Sequence, residues 1–252
     1  MTTFPTVLFV HGAWHGGWSW APLQAQLDKR GIASIAVDLP GHGASTLEFT
    51  DMHGDARHVA EVAQRIGGNI ILVGHSYGGG VIGEAATQIM NANSDQSVTV
   101  SHLVYMAAFV LDVGESVGGL AASLPKEPNL LNPAIISGAD GNLTLDAAKA
   151  IPALYNTSSK KMARAAVARL SPQPAVTFGQ PCTGAPWKLL PSTYVVCEKD
   201  QAVHPNHQRI MAERCTNVVS LDCDHSPFMC MPKESAKILK KIVKKSEQPS
   251  DS

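Results

Sequence analysis

A serine set between two glycines, Gly74-His75-Ser76-Tyr77-Gly78, follows the apolar run Asn69-Ile70-Ile71-Leu72-Val73 and precedes Gly79 to Ala86, which can start a helix. G-x-S-x-G at a strand-to-helix turn is a nucleophile elbow, where the chain turns so sharply that the hydroxyl stands clear of the backbone. The flanking glycines let strand and helix approach closely. A serine hydroxyl is a poor nucleophile and needs a base, itself oriented by an acid. Both follow in the chain. Ser192 to Cys197 reads as a strand and ends in Glu198-Lys199-Asp200, and Val218 to Leu221 reads as another and ends in Asp222-Cys223-Asp224-His225. Ser76 is expected to attack a carbonyl carbon, His225 to take its proton and pass it to the leaving group, and Asp200 to hold the imidazole tautomer. The developing oxyanion needs two fixed donors. The Tyr77 N–H at the start of a helix is one. The other is expected from the loop His11-Gly12-Ala13-Trp14, at the Ala13 N–H, with His11 as a polar brace.

Rival assignments exist for each role. Asp222 and Asp224 are nearer His225 in sequence, but neighbours on an extended segment point to opposite sides. Asp112, after the strand that ends near Ala108, is a second candidate for the acid. His11, His15, His42, His53, His58, His75, His102, His204 and His207 compete for the base, but His225 alone is both late and at a strand end. His204 with His207, or Cys223 with His225 and Cys230, lacks the paired spacing of a zinc site, so neither metal nor cofactor is expected. Trp14, His15, Phe109 and Phe228 are candidates for the pocket wall.

These groups must be carried by a scaffold, and the chain reads as one. Thr6 to Val10, Ile32 to Val37, Asn69 to Val73 and Val98 to Ala107 are apolar runs suited to strands buried on both faces. Helical segments alternate with them at Pro22 to Arg30, Asp55 to Ile66 and Val81 to Met90. Strands alternating with helices imply a parallel sheet covered on both sides. The alternation breaks between about Phe109 and Trp187, a proline-rich stretch with one good helical segment, Ser158 to Leu170. The expected organisation is a core over 1–108 and 188–246, interrupted by a cap over 109–187, with a disordered tail over 247–252. Lys233 to Lys245 reads as a terminal amphipathic helix with a solvated basic face.

Composition narrows the function further. The 252 residues, 44% of them hydrophobic, suffice for one α/β domain with a sizeable core. A formal net charge of -1 favours neither nucleic acid nor an anionic membrane surface. Five cysteines without a C-x-x-C pair suit reduced thiols, and the N-terminus lacks the pattern of a secretory signal, so a cytoplasmic protein is expected.

The motifs together resemble those of the small α/β-hydrolases related to plant methyl esterases and hydroxynitrile lyases. The resemblance rests on Val7 to Trp18, Asp38-Leu39-Pro40-Gly41-His42-Gly43, Gly74 to Gly79, Tyr105 to Phe109, Cys197 to Asp200 and Asp224 to Met229, in that order. It implies an α/β-hydrolase fold: a mostly parallel, eight-stranded sheet with helices on both faces and a small helical cap. It also implies Ser76, Asp200 and His225 as the triad, and Ala13 and Tyr77 as oxyanion donors. The hydroxynitrile lyases of this fold carry a lysine directly after the catalytic histidine and a threonine on the oxyanion loop. This chain has Ser226 and Ala13-Trp14 at those places. A neutral serine cannot stabilise departing cyanide, so the expected activity is hydrolysis of a small or medium, apolar carboxylic ester or lactone through an acyl-enzyme. A lyase on the same site and a non-catalytic small-molecule receptor are the alternatives. The expected partner is a small-molecule ester, and the expected assembly a monomer or homodimer.

Overall fold

The computed structural model describes residues 4–92 and 97–246. The tail expected over 247–252 lies outside the described residues. Six strands form one sheet: β1 (Thr6–Val10), β2 (Ser34–Val37), β3 (Gly68–His75), β4 (Val98–Met106), and, beyond the interruption, β8 (Ser192–Cys197) and β9 (Asn217–Leu221). Their order is β2-β1-β3-β4-β8-β9 and every pairing is parallel.

Alternation along the strands divides the core. Leu8, Val10, Ile70 and Leu72 face one side, and Val7, Phe9, Ile71 and Val73 the other. Helices α2 (Met52–Ile66) and α3 (Gly78–Ala92) pack on the first side through Val59, Ala63, Val81 and Ala85. Helices α1 (Ala21–Asp28) and α9 (Pro232–Lys245) cover the second through Leu23, Leu27, Leu239 and Val243. Local signals set the helix ends. Asp51 caps α2 by accepting the Gly54 amide at 2.8 Å, and Gly67, at φ +68°, ends it in a conformation that only glycine takes without strain.

Two expectations change. The resemblance implied eight strands, but the sheet has six among the described residues. The remaining extended segments, β5 (Ile135–Ser137), β6 (Asn142–Leu145) and β7 (Gln173–Pro174), pair with one another as a separate antiparallel sheet. The segment expected as a helical cap is therefore mixed. It holds α4 (Val117–Ser123), α5 (Ala147–Leu154) and α6 (Lys160–Val167) together with that small sheet. Helix α6 is shorter than the Ser158 to Leu170 expected: Ser159 caps its start by accepting the Met162 amide at 3.3 Å, and beyond its end the Arg169 and Leu170 amides bond carbonyls three residues back, those of Ala166 and Val167. Helices α7 (Pro205–Ala212) and α8 (Pro227–Cys230) complete the chain. Among the described residues no helix is long and apolar enough to cross a membrane.

Candidate active site

Strand order predicts where a site can form. The chain runs from β1 outward to β2, then returns past β1 to β3, so the loops after β1 and β3 diverge and leave a crevice at the carboxyl ends. The loop 11–16 and the elbow at Ser76 border that crevice. Among the described residues only Trp14, Ser76 and Ala107 are non-glycine residues at positive φ, at +64°, +52° and +45°. Trp14 and Ser76 lie in those two loops, and Ala107 directly follows β4, beside β3. Such backbone costs about 1–3 kcal/mol per residue and persists only where its surroundings enforce it. Here the enforcing bonds are visible: the Ser76 carbonyl accepts the amides of Gly79 at 3.0 Å and Phe109 at 3.1 Å, and the Ala107 amide donates to the Val195 carbonyl at 3.0 Å. The two motif glycines are needed for space. A Cβ on Gly78 would lie 2.6 Å from the carbonyl oxygens of Val10 and His11, and one on Gly74 would lie 2.5 Å from that of Gly78.

Asp200 and His225 meet behind the elbow. His225 Nδ1 donates to Asp200 Oδ2 at 2.6 Å, with the two residues 1% and 0% exposed. The carboxylate accepts three more bonds: Ala202 N at 2.7 Å and Val203 N at 2.9 Å on Oδ1, and Gln208 Nε2 at 2.8 Å on Oδ2. Four donors compensate a buried charge that would otherwise be costly to desolvate. Gln208, on α7, cannot flip, because its Oε1 accepts the Cys197 amide at 2.9 Å. With the proton on Nδ1, the His225 lone pair is on Nε2. The ring is further held from beneath by His75, whose Nε2 donates to the His225 carbonyl at 2.8 Å and whose ring centroid lies 4.5 Å from that of His225. Burial, with His225 next to it, drives His75 well below the ordinary histidine range, so it stays neutral.

The rival groups are occupied elsewhere. Asp112 pairs with Lys188 at 2.6 Å and Asp222 with Lys199 at 2.6 Å, both at the surface. Asp224 is buried but accepts Thr157 N, Thr157 Oγ1 and Ser158 Oγ on Oδ2, and Ser226 N on Oδ1. His204 caps α7, and His207 Nε2 donates to the Pro125 carbonyl at 2.6 Å. His11 accepts the Leu39 amide on Nε2 at 3.1 Å and donates from Nδ1 to the Gly12 carbonyl at 2.8 Å, tying the loop 11–16 to the chain after β2. Among the described residues no three His, Cys, Asp or Glu side chains converge to hold a metal ion.

A cavity of about 720 Å³ opens over Ser76, which is 8% exposed on its floor. Ala13, Trp14, Tyr77 and Phe109 line it as well. His15 and Phe228 do not. His15 is turned away because its Nδ1 donates to the Ala13 carbonyl and its Nε2 accepts from the Tyr155 hydroxyl. Phe228 lies in the core against Trp20 and His75, with centroids 4.4 and 4.8 Å away. Most of the rest of the wall comes from the segment between β4 and β8, including Val117, Leu124, Leu131, Leu143 and Phe178. Phe178 touches both Trp14 and Tyr77, at 6.0 and 5.7 Å between centroids. Trp14 is stitched to this roof: its Nε1 donates to the Leu143 carbonyl at 2.9 Å, its amide to Gln173 Oε1 at 3.3 Å, and its carbonyl accepts the Ser171 amide at 2.9 Å.

One acid beneath the floor has a shifted pKa. Burial pushes Asp55 up to about 7, against the lowering effect of the Tyr77 hydroxyl that donates to it at 2.7 Å. Burial, together with that carboxyl, pushes the Tyr77 phenol well above its usual range, so Tyr77 remains a donor.

Known proteins share this arrangement of elements. The family model for the alpha/beta hydrolase family matches residues 7–238. An alpha/beta hydrolase of Aspergillus novofumigatus is 30% identical over 237 residues, covering 90% of this chain and 92% of that protein. Methylesterase 7 of Arabidopsis thaliana is 26% identical, covering 94% and 96%. The crystal structure of a pyrethroid hydrolase from Sphingobium faniae superposes with a TM-score of 0.81 at 25% identity, over 96% of this chain and 98% of that one. The chain belongs to the alpha/beta hydrolase family, and its similarity extends to ester-hydrolysing members of that family.

Proposed function

We propose that this chain is a cofactor-independent serine esterase in which Ser76, His225 and Asp200 act as a triad. His225 Nε2 takes the Ser76 proton as the hydroxyl attacks the ester carbonyl. The oxyanion is met by the Ala13 and Tyr77 amides, and the alcohol leaves with the proton from His225. A water activated by the same ring then releases the acid and restores Ser76. Asp200 holds the ring in place and stabilises the imidazolium that forms twice in the cycle.

The observation that carries this reading is a left-handed serine on the floor of a cavity, with a buried imidazole behind it whose Nδ1 is fixed by a four-donor carboxylate. The names of the relatives, methylesterase and hydrolase among them, support the same chemistry. The wall is mostly apolar, with Lys126, Glu127 and His207 as its charged or titratable members, which favours an uncharged ester or lactone, and a cavity of about 720 Å³ admits an acyl or alcohol part of drug-like size. Ser226, directly after His225, is buried and neutral, which speaks against stabilising a departing anion there.

Hydrolysis of p-nitrophenyl esters from acetate to decanoate tests the proposal. The wild type is expected to turn over with an optimum beyond acetate, and Ser76→Ala to fall to background. Full activity in Ser76→Ala would overturn it.

A further inference from the structure

Ala13, the second donor in the proposed oxyanion hole, sits between two peptide planes that are held from opposite sides. Upstream, the Gly12 carbonyl accepts His11 Nδ1–H at 2.8 Å and the His15 amide at 3.2 Å. Downstream, the Ala13 carbonyl accepts from His15 Nδ1 at 2.8 Å. A carbonyl can only accept, so the proton of neutral His15 is on Nδ1 and the lone pair on Nε2. That lone pair accepts the Tyr155 hydroxyl at 2.8 Å. Both side chains are 1% exposed. Burial lowers His15 to about 4, so the ring is neutral, and its two partners leave it one tautomer.

We propose that Tyr155 is a positioning residue of the oxyanion hole, acting from the segment between β4 and β8 through His15 on the Ala13–Trp14 peptide. The inference rests on the reading of Ser76 as nucleophile. The need for such a brace comes from Trp14, whose φ of +64° the chain leaves unless it is held. A donor contributes to an oxyanion hole only if it is already aimed before charge develops. The residues after Tyr155 anchor it against the other two loops of the site. Asn156 Nδ2 donates to the Lys199 carbonyl at 3.0 Å, beside Asp200. Thr157 and Ser158 donate to Asp224 Oδ2 at 2.9 to 3.0 Å, beside His225. Four consecutive residues thus tie the oxyanion loop to the acid and the base. Without the hydroxyl, the proton of His15 can move to Nε2, and the Ala13 carbonyl then loses its donor.

Tyr155→Phe in the full chain tests this, with phenylboronic acid as a mimic of the tetrahedral intermediate. The variant is expected to lose about tenfold in kcat with KM within about twofold, a fraction of the roughly hundredfold or more that deleting an oxyanion donor costs. Phenylboronic acid is expected to bind about tenfold more weakly, while inhibition by the product acid stays unchanged. Unchanged kcat and boronate affinity would overturn the inference, even with a lowered thermal midpoint, since a packing role moves stability alone. Should Tyr155→Phe fail to fold, His15→Asn and His15→Leu replace it. Asn keeps an N–H near Nδ1 and should hold boronate affinity within about threefold, whereas Leu should lose about tenfold. Equal affinity in the two variants would overturn the inference. Failure of a fluorophosphonate to label the wild type would instead remove the nucleophile reading, and this inference with it.

Discussion

The floor and the roof of the cavity are built by opposite means. On the floor, Ser76, Asp200 and His225 are fixed by short hydrogen bonds and strained backbone at strand ends. In the roof, Val117, Leu124, Leu131, Leu143 and Phe178 come from helices, a small antiparallel sheet and the turns between them, and meet mainly through apolar contact. Hydrogen bonds are directional and tolerate little displacement, which suits the groups proposed to transfer a proton. Apolar contact is non-directional, so a roof can change shape without disturbing what lies beneath it. Trp14 is where the two meet, with its amide, indole and carbonyl all bonded to the roof and the proposed oxyanion donor Ala13 directly before it. Reactivity and selectivity should therefore separate under mutation, except along the loop around Trp14.

The sharpest break is expected on the floor. Asp200→Asn should lower kcat about 10⁴-fold with KM little changed, because an amide N–H facing His225 Nδ1 favours the wrong tautomer. Steady-state kinetics with a p-nitrophenyl ester check this, and a loss in KM alone would contradict it. A roof substitution should act on selectivity instead. Phe178→Ala is expected to reduce kcat/KM for long-chain esters about tenfold while leaving acetate within about twofold. An equal loss on both would show that the roof also sets the reactive geometry.

A third effect concerns stability and leaves the chemistry of the floor alone. Asp55 is raised to about 7 in the folded protein, chiefly by burial, whereas an unfolded aspartate titrates near its ordinary value. Between those values the folded state binds the extra proton. The stability from this group is thus fully present at acid pH and is lost as pH rises through about 7. Asp55→Asn keeps an acceptor for the Tyr77 hydroxyl and removes the buried charge. The variant should gain on the wild type as pH rises from 5 to 8, by at most about 3 kcal/mol. Urea denaturation at those two pH values measures it, and a gap that does not widen with pH would contradict the assignment.

The floor was legible in the sequence because each of its groups follows an apolar run at a strand end, and β1, β3, β8 and β9 all form at such runs. The same runs number six, so the eight strands came from resemblance and not from the residues. The supports of the floor were not legible. Gln208 braces Asp200 from α7, a helix that begins at Pro205 in a stretch with no apolar periodicity. Gln173 reaches Trp14 across 159 positions, and Tyr155 reaches His15 across 140, separations that no local pattern encodes. His15 and Phe228 were misread as wall because proximity in sequence says nothing about the side to which a ring turns. In the roof, β5 and β7 are three and two residues long, too short to show alternation.

Covalent labelling tests the central claim, that Ser76 is the nucleophile driven by His225 and Asp200. The protein would be treated with a fluorophosphonate at neutral pH, digested, and the adduct mapped by mass spectrometry. One adduct on the peptide containing Ser76, absent from Ser76→Ala and slowed at least about a thousandfold in His225→Ala, is the predicted result. An adduct on another residue, or labelling of Ser76 at an undiminished rate without His225, would contradict the account.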